Sequence, residues 1–186
     1  MCGQPPSAVR RAQIGVLRIA MSAPVLEPRP QAAPTILLGG LIAGILDGLD
    51  AVVFYRAAFS VPPTRLFQGI ARGLLGSSAL IGGWKTVVLD IALHFTVAIG
   101  AAAFFYIVSL LIPALFRHAW ICGPAFGVGL YLFMQHVVIP LSAIPKRTHP
   151  APLMDVIDQL LSHMFFVGLP IALMARRSAR TAPSRT

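Results

Sequence analysis

The chain has 186 residues, 56% of them hydrophobic and 11% charged, with a mean hydropathy of +0.78. That balance excludes an ordinary soluble domain and indicates an all-α, polytopic membrane protein. The formal charge of +9 does not indicate nucleic-acid binding, because the basic residues lie mainly at the chain ends and in connections, and no DNA- or RNA-binding motif accompanies them.

The first element, residues 1–33, reads as a disordered, basic, proline-rich tail carrying Arg10, Arg11, Arg18 and Arg29, with no apolar run long enough for a signal-peptide core. Met21 is an alternative start to Met1. A membrane domain follows over residues 34–175, with spans at 35–59, 86–112, 120–143 and 153–175. The first span carries Gly40, Gly44 and Gly48 at i, i+4, i+8, a small-residue stripe suited to close helix approach, to a homo-oligomer or to a membrane partner. Asp47 and Asp50 share a face beside this stripe. At neutral pH at least one of the two needs a proton, a hydrogen-bond donor or a cation.

Residues 60–84 open with Pro62-Pro63 and place Arg65, Gln68 and Arg72 opposite Leu66, Ile70 and Leu74. This is the pattern of a helix lying in the membrane interface. The glycine- and serine-rich second half also suits a re-entrant dip. Arg65 and Arg72 read as lipid head-group contacts, and Trp84 and Trp120 as interfacial anchors.

The second span contains Asp90 and His94 one turn apart and ends at Pro113. Such groups cost several kcal/mol in hydrocarbon unless partnered. In the third span Gly123, Gly127, Tyr131 and Gln135 follow one another at i+4, with His136 alongside. Pro140 deprives the His136 carbonyl of its usual helical donor and predicts a kink. The turn 145–152 leads to the fourth span, where Asp155, Gln159 and His163 repeat at i+4 and Asp158 lies beside them. Arg176, Arg177 and Arg180 begin a basic tail, 176–186. His118 and His149 fall in connections.

Depth gathers these scattered residues into a layer. At ~1.5 Å per residue, His94, His136 and His163 lie ~12, ~10 and ~15 Å from one membrane side, and Asp47 and Asp50 ~12 to 18 Å. Asp90 and Gln159 sit a turn nearer the surface. A four-helix bundle would turn this polar cluster (Asp47, Asp50, Asp90, His94, Gln135, His136, Gln159, His163) inward, with the imidazoles converging near the carboxylates.

The first reading is a cluster that fixes helix packing, each bond worth ~0.6 to 2 kcal/mol. An alternative is proton- or ion-coupled transport, with Asp90, Asp155 and Asp158 as the entrance. A third is metal or haem binding by His94, His136 and His163, with zinc, non-haem iron or bis-histidine haem as the cofactors this set would take. An enzyme is least favoured, since there is no GxSxG, no Walker loop and no nucleophile beside a base. Cys2 and Cys122 indicate neither a disulfide framework nor a thiolate site.

From Asp90 to Arg177 the chain resembles the YagU-like family of small bacterial inner-membrane proteins. The residues that carry the likeness are His94 with the run to Pro113, Trp120-Ile-Cys-Gly123, Gly127, Gln135-His136 with Pro140-Leu141, and Asp158 and His163 before Arg176-Arg177. The resemblance implies an integral inner-membrane protein and carries over no catalytic residue. Thirteen arginines against two lysines, and no asparagine, also suggest a GC-rich bacterial genome.

Nine basic residues fall on the side of the termini (Arg10, Arg11, Arg18, Arg29, Arg117, Arg176, Arg177, Arg180, Arg185) against six opposite (Arg56, Arg65, Arg72, Lys85, Lys146, Arg147), which favours cytoplasmic termini. A start at Met21 would reduce the count to six against six.

Overall fold

The structure, a computed structural model, describes residues 31–145 and 150–181. The expected N-terminal tail through residue 30, Lys146, Arg147, His149 and Arg185 lie outside the described residues. Among the described residues every regular element is helical. Four helices are long and apolar enough to cross a membrane: α1, Ala32–Phe59; α2, Gly83–Leu111; α3, Ala119–Leu141; and α4, Leu153–Arg180. The last runs through Arg176, Arg177 and Arg180, so these arginines sit on a helix and not in a separate tail.

Local chemistry sets the ends. Ser60 closes α1 in the left-handed conformation at φ 54°, and the N–H groups of Ser60 and Val61 both bond back to the Tyr55 carbonyl, the latter at 3.1 Å. Pro62-Pro63 then prevents the helix from resuming. α2 begins at Gly83, whose φ of +59° turns the chain into the helix, and it ends just before Pro113.

α3 and α4 each contain a π-helical turn, Met134–Val138 and His163–Gly168. Both lie just ahead of a proline, Pro140 or Pro170, which has no N–H for the carbonyl four residues back. The preceding residue donates one step further instead, Ile139 to Met134 and Leu169 to Met164. The irregularity expected at Pro140 therefore takes the form of a one-residue slip in the hydrogen-bond ladder, and Pro170 has the same effect.

α1 packs along α2 and α4, and α4 packs along α3 and α1, so the helices neighbour in the order α2–α1–α4–α3. Glycine makes two of these contacts possible. A Cβ on Gly40 would stand 2.6 Å from the Ile99 Cα, and one on Gly44 2.8 Å from the Phe95 ring. The small-residue stripe of α1 is thus filled by α2 of the same chain, not by an outside partner. On the α3–α4 seam, a Cβ on Gly127 would lie 2.0 Å from the His163 carbonyl oxygen, and one on Gly168 2.1 Å from that of Gly123.

α2 and α3 have few close backbone contacts. They meet through Phe126, which stacks with Phe104 at 6.3 Å and meets Phe105 edge-on at 5.1 Å. Around this point lies the apolar core, with Ala43, Ala102, Phe105, Ile171 and Ala172 buried. Outward, Leu37, Leu41, Ile45, Leu49 and Val53 form an exposed i+4 stripe along α1. Such a continuous apolar face is unfavourable in water and natural against hydrocarbon.

Between α1 and α2 the chain forms two short helices, Pro63–Leu66 and Arg72–Leu75, and the 3₁₀ turn Gly76–Ile81. This segment spans the place where α2 and α3 diverge. Gln68 Nε2 donates to Thr86 Oγ1 at 3.0 Å on the α2 side, and Ala143 N–H donates to the Gly73 carbonyl at 2.8 Å just past the end of α3.

Candidate functional site: polar residues among the long helices

The expected polar residues divide among separate interfaces. Between α1 and α4, the Ser162 hydroxyl donates to Asp47 Oδ1 at 2.8 Å, and the Tyr55 hydroxyl donates to Asp155 Oδ1. The two bonds are 8 residues apart on α1 and 7 on α4, the register of antiparallel helices of equal rise. That register sets Asp50 level with Asp158 and Gln159. Asp47, Asp50 and Asp155 are the charges that act on Asp158, whose Oδ2 is buried without a hydrogen-bond partner.

Between α1 and α2, His94 Nε2 lies 2.8 Å from the Gly44 carbonyl oxygen. A carbonyl only accepts, so Nε2 carries the proton in this contact. A Cβ on Gly48 would stand 3.6 Å from Nε2, in ordinary van der Waals contact, whereas one on Gly44 would meet the neighbouring Phe95 ring.

Asp90 has a different task. It is 2% exposed, and its Oδ1 accepts the backbone N–H of Ile70 at 2.5 Å and of Ala71 at 2.9 Å. These amides lie just ahead of the short helix Arg72–Leu75, whose own N–H groups bond to the Gln68, Ile70 and Ala71 carbonyls. Asp90 supplies their acceptor from a neighbouring helix. It thereby fixes the 60–82 segment to α2.

The remaining histidines bond within their own helices. His136 is exposed, and its Nδ1–H donates to the Leu132 carbonyl at 3.0 Å. His163 Nδ1–H donates to the Gln159 carbonyl at 2.8 Å, while its ring meets Tyr131 edge-on at 5.7 Å across the α3–α4 seam. Gln135 is half-buried on α3.

The three imidazoles therefore do not assemble into a ligand set. Among the described residues, no group of three or more His, Cys, Asp or Glu side chains is arranged to hold a metal ion. The cause is the helix order: α2 and α3, which carry His94 and His136, are not close neighbours, and equal depth does not make residues adjacent when their helices are apart.

Four contributors were absent from the sequence reading of the cluster: Tyr55, Ser162, Gln68 in its bonding role, and Thr86. Two of them carried a usable signal. Tyr55 follows Asp47 at i+8 on one helical face, and Ser162 follows Asp155 at i+7 and Asp158 at i+4.

Neither protein-family models, nor curated proteins, nor solved structures include a match to this chain.

Proposed function

We propose that the chain is a four-helix integral membrane protein of a bacterial inner membrane, with cytoplasmic termini and a re-entrant segment at 60–82, belonging with the YagU-like proteins. Its intramembrane aspartates and His94 act as fasteners between helices, and the finished bundle presents surfaces to lipid or to a partner. The observation that carries this reading is the pair of bonds Ser162–Asp47 and Tyr55–Asp155 on one seam, since two carboxylates held by hydroxyls in helical register define how α4 lies on α1. Four apolar helices of spanning length support the membrane assignment.

The test is a double-mutant cycle on Asp47→Ala and Ser162→Ala, read as thermal unfolding of the full chain in mild detergent. A coupling energy of ~0.6 to 1.7 kcal/mol is expected. Strictly additive effects would remove the fastening role.

One observation favours a second reading, proton or ion handling. Asp158 has a buried, unpartnered carboxylate oxygen facing Asp47, Asp50 and Asp155. If this group exchanges protons during function, Asp158→Asn abolishes a pH-dependent flux in proteoliposomes while the protein stays folded. An unchanged flux, or no flux in the parent protein, rules that reading out.

A further inference from the structure

The divergence of α2 from α3 leaves an apolar groove of about 480 Å³. Val97, Gly100 and Phe104 form one wall, Gly129, Phe133 and Val138 the other, and no polar side chain lines it. Gly100 and Gly129 have nothing within 4 Å of where a Cβ would stand. These glycines therefore serve no helix contact inside the chain, unlike Gly40, Gly127 and Gly168. What they provide is width.

The groove runs from Phe104 and Phe126 toward the end of the helices that the 60–82 segment bridges. Its inner end is the stacked Phe104–Phe126 pair. From Phe126 to Val138 along α3 is ~18 Å, close to the ~15 Å depth of one leaflet of a ~30 Å hydrocarbon core. At the other end the 60–82 segment joins the two walls, through Asp90 to Ile70 and Ala71 on α2 and through Gly73 to Ala143 beyond α3. Arg72 lies in the chain between Ala71 and Gly73, the residues that make those two attachments, and its Nε is enclosed by protein without a hydrogen-bond partner, so that the outer guanidinium nitrogens are the ones a ligand would meet. A cationic side chain on the segment that bridges the end of a leaflet-deep hydrocarbon slot suits an anionic head group joined to an acyl chain.

We infer that the α2–α3 groove holds one acyl chain of an anionic phospholipid, with its phosphate bonded by Arg72. The inference rests on the membrane-spanning reading above. A helix from a second copy fits less well, because it would bring no anion to Arg72. The 60–82 segment becomes the collar of the site, and Asp90, by fixing Ile70 and Ala71, is a positioning residue for it.

Native mass spectrometry of the full chain in mild detergent tests this, with phosphatidylglycerol, phosphatidylcholine of matched chains, and inorganic phosphate as probes. A one-to-one phosphatidylglycerol adduct is expected, with phosphatidylcholine about tenfold weaker because its quaternary ammonium offsets the charge of its phosphate beside Arg72, and no phosphate adduct. Arg72→Gln should erase the difference between the two lipids. Gly100→Leu with Gly129→Leu, whose side chains enter open space, should lose both adducts.

Equal binding of the two lipids by the parent protein, an undiminished preference in Arg72→Gln, or lipid retained by a folded, groove-filled variant would each overturn the inference. So would a dimer that carries no lipid and disperses when the groove is filled. Should the filled variant fail to fold by circular dichroism, the Arg72→Gln comparison decides. Fractionation separates the two levels of the argument: a chain absent from membranes refutes the membrane reading, whereas a membrane-bound chain without the adduct refutes only the lipid site.

Discussion

His94 on α2 donates its Nε2–H to the Gly44 carbonyl on α1 across 2.8 Å. The donor reaches a carbonyl that already serves the α1 ladder, so the bond adds an attachment without breaking the helix. His94→Ala should lower unfolding stability in detergent by ~1 kcal/mol, within the ~0.6 to 1.7 range for intramembrane bonds. His136→Ala, which removes an exposed ring bonded to its own helix, should leave the transition unchanged. Equal losses at the two positions would contradict the assignment.

Glycine position separates packing from open space. Gly127→Ala and Gly168→Ala would drive a methyl to about 2 Å from backbone oxygens on the facing helix, so each should cost ~1 to 3 kcal/mol. Gly129→Ala, two residues along the same helix, meets nothing within 4 Å and should be neutral or slightly stabilising through helix propensity. Unfolding of the three single variants under one detergent condition checks the contrast.

Asp90→Ala leaves the buried amide of Ala71 without an acceptor, at ~1 to 3 kcal/mol, and frees the part-buried amide of Ile70 at a smaller cost. The loss should be local, visible as faster hydrogen exchange over residues 66–75 with little change in α4. Asp90→Asn keeps an acceptor oxygen and should retain most of the protection. Uniform acceleration across all four long helices would instead identify Asp90 as a global fastener.

Pro170→Ala restores a donor for the carbonyl of Phe166 and removes the reason for the slip at His163–Gly168. A regular helix there would rotate the residues beyond it by ~100° relative to those before, misaligning Gly168 with Gly123 and Gly127. Reduced stability is expected despite the better helix propensity of alanine. A stabilised variant would show that the π turn is not needed for the α3–α4 seam.

The four long helices were legible because a run of some twenty apolar residues has few other fates. Glycine spacing on α1 and α3 correctly indicated close approach, although not the partner: Gly40 and Gly44 face Ile99 and Phe95 of the same chain, and Gly168 went unnoticed for want of a second glycine at i+4. Depth arithmetic placed His94, His136 and His163 in one layer but carries no information about angle around the bundle or about which helices touch. Depth also says nothing of the backbone amides that Asp90 accepts. That acceptor role depends on a segment doubling back beside α2, a long-range contact with no periodic signature.

The neighbour order has a consequence for biogenesis. Emerging from the insertion machinery, α1 and α2 can pair at once, but α3 finds little purchase on either until α4, the last to be made, arrives to occupy the seat between α3 and α1. The third helix must therefore wait alone in the bilayer with Gly123 and Gly127 uncovered. Truncation within the final helix would leave not three-quarters of a protein but a stable hairpin and an orphan, open to capture by quality-control proteases.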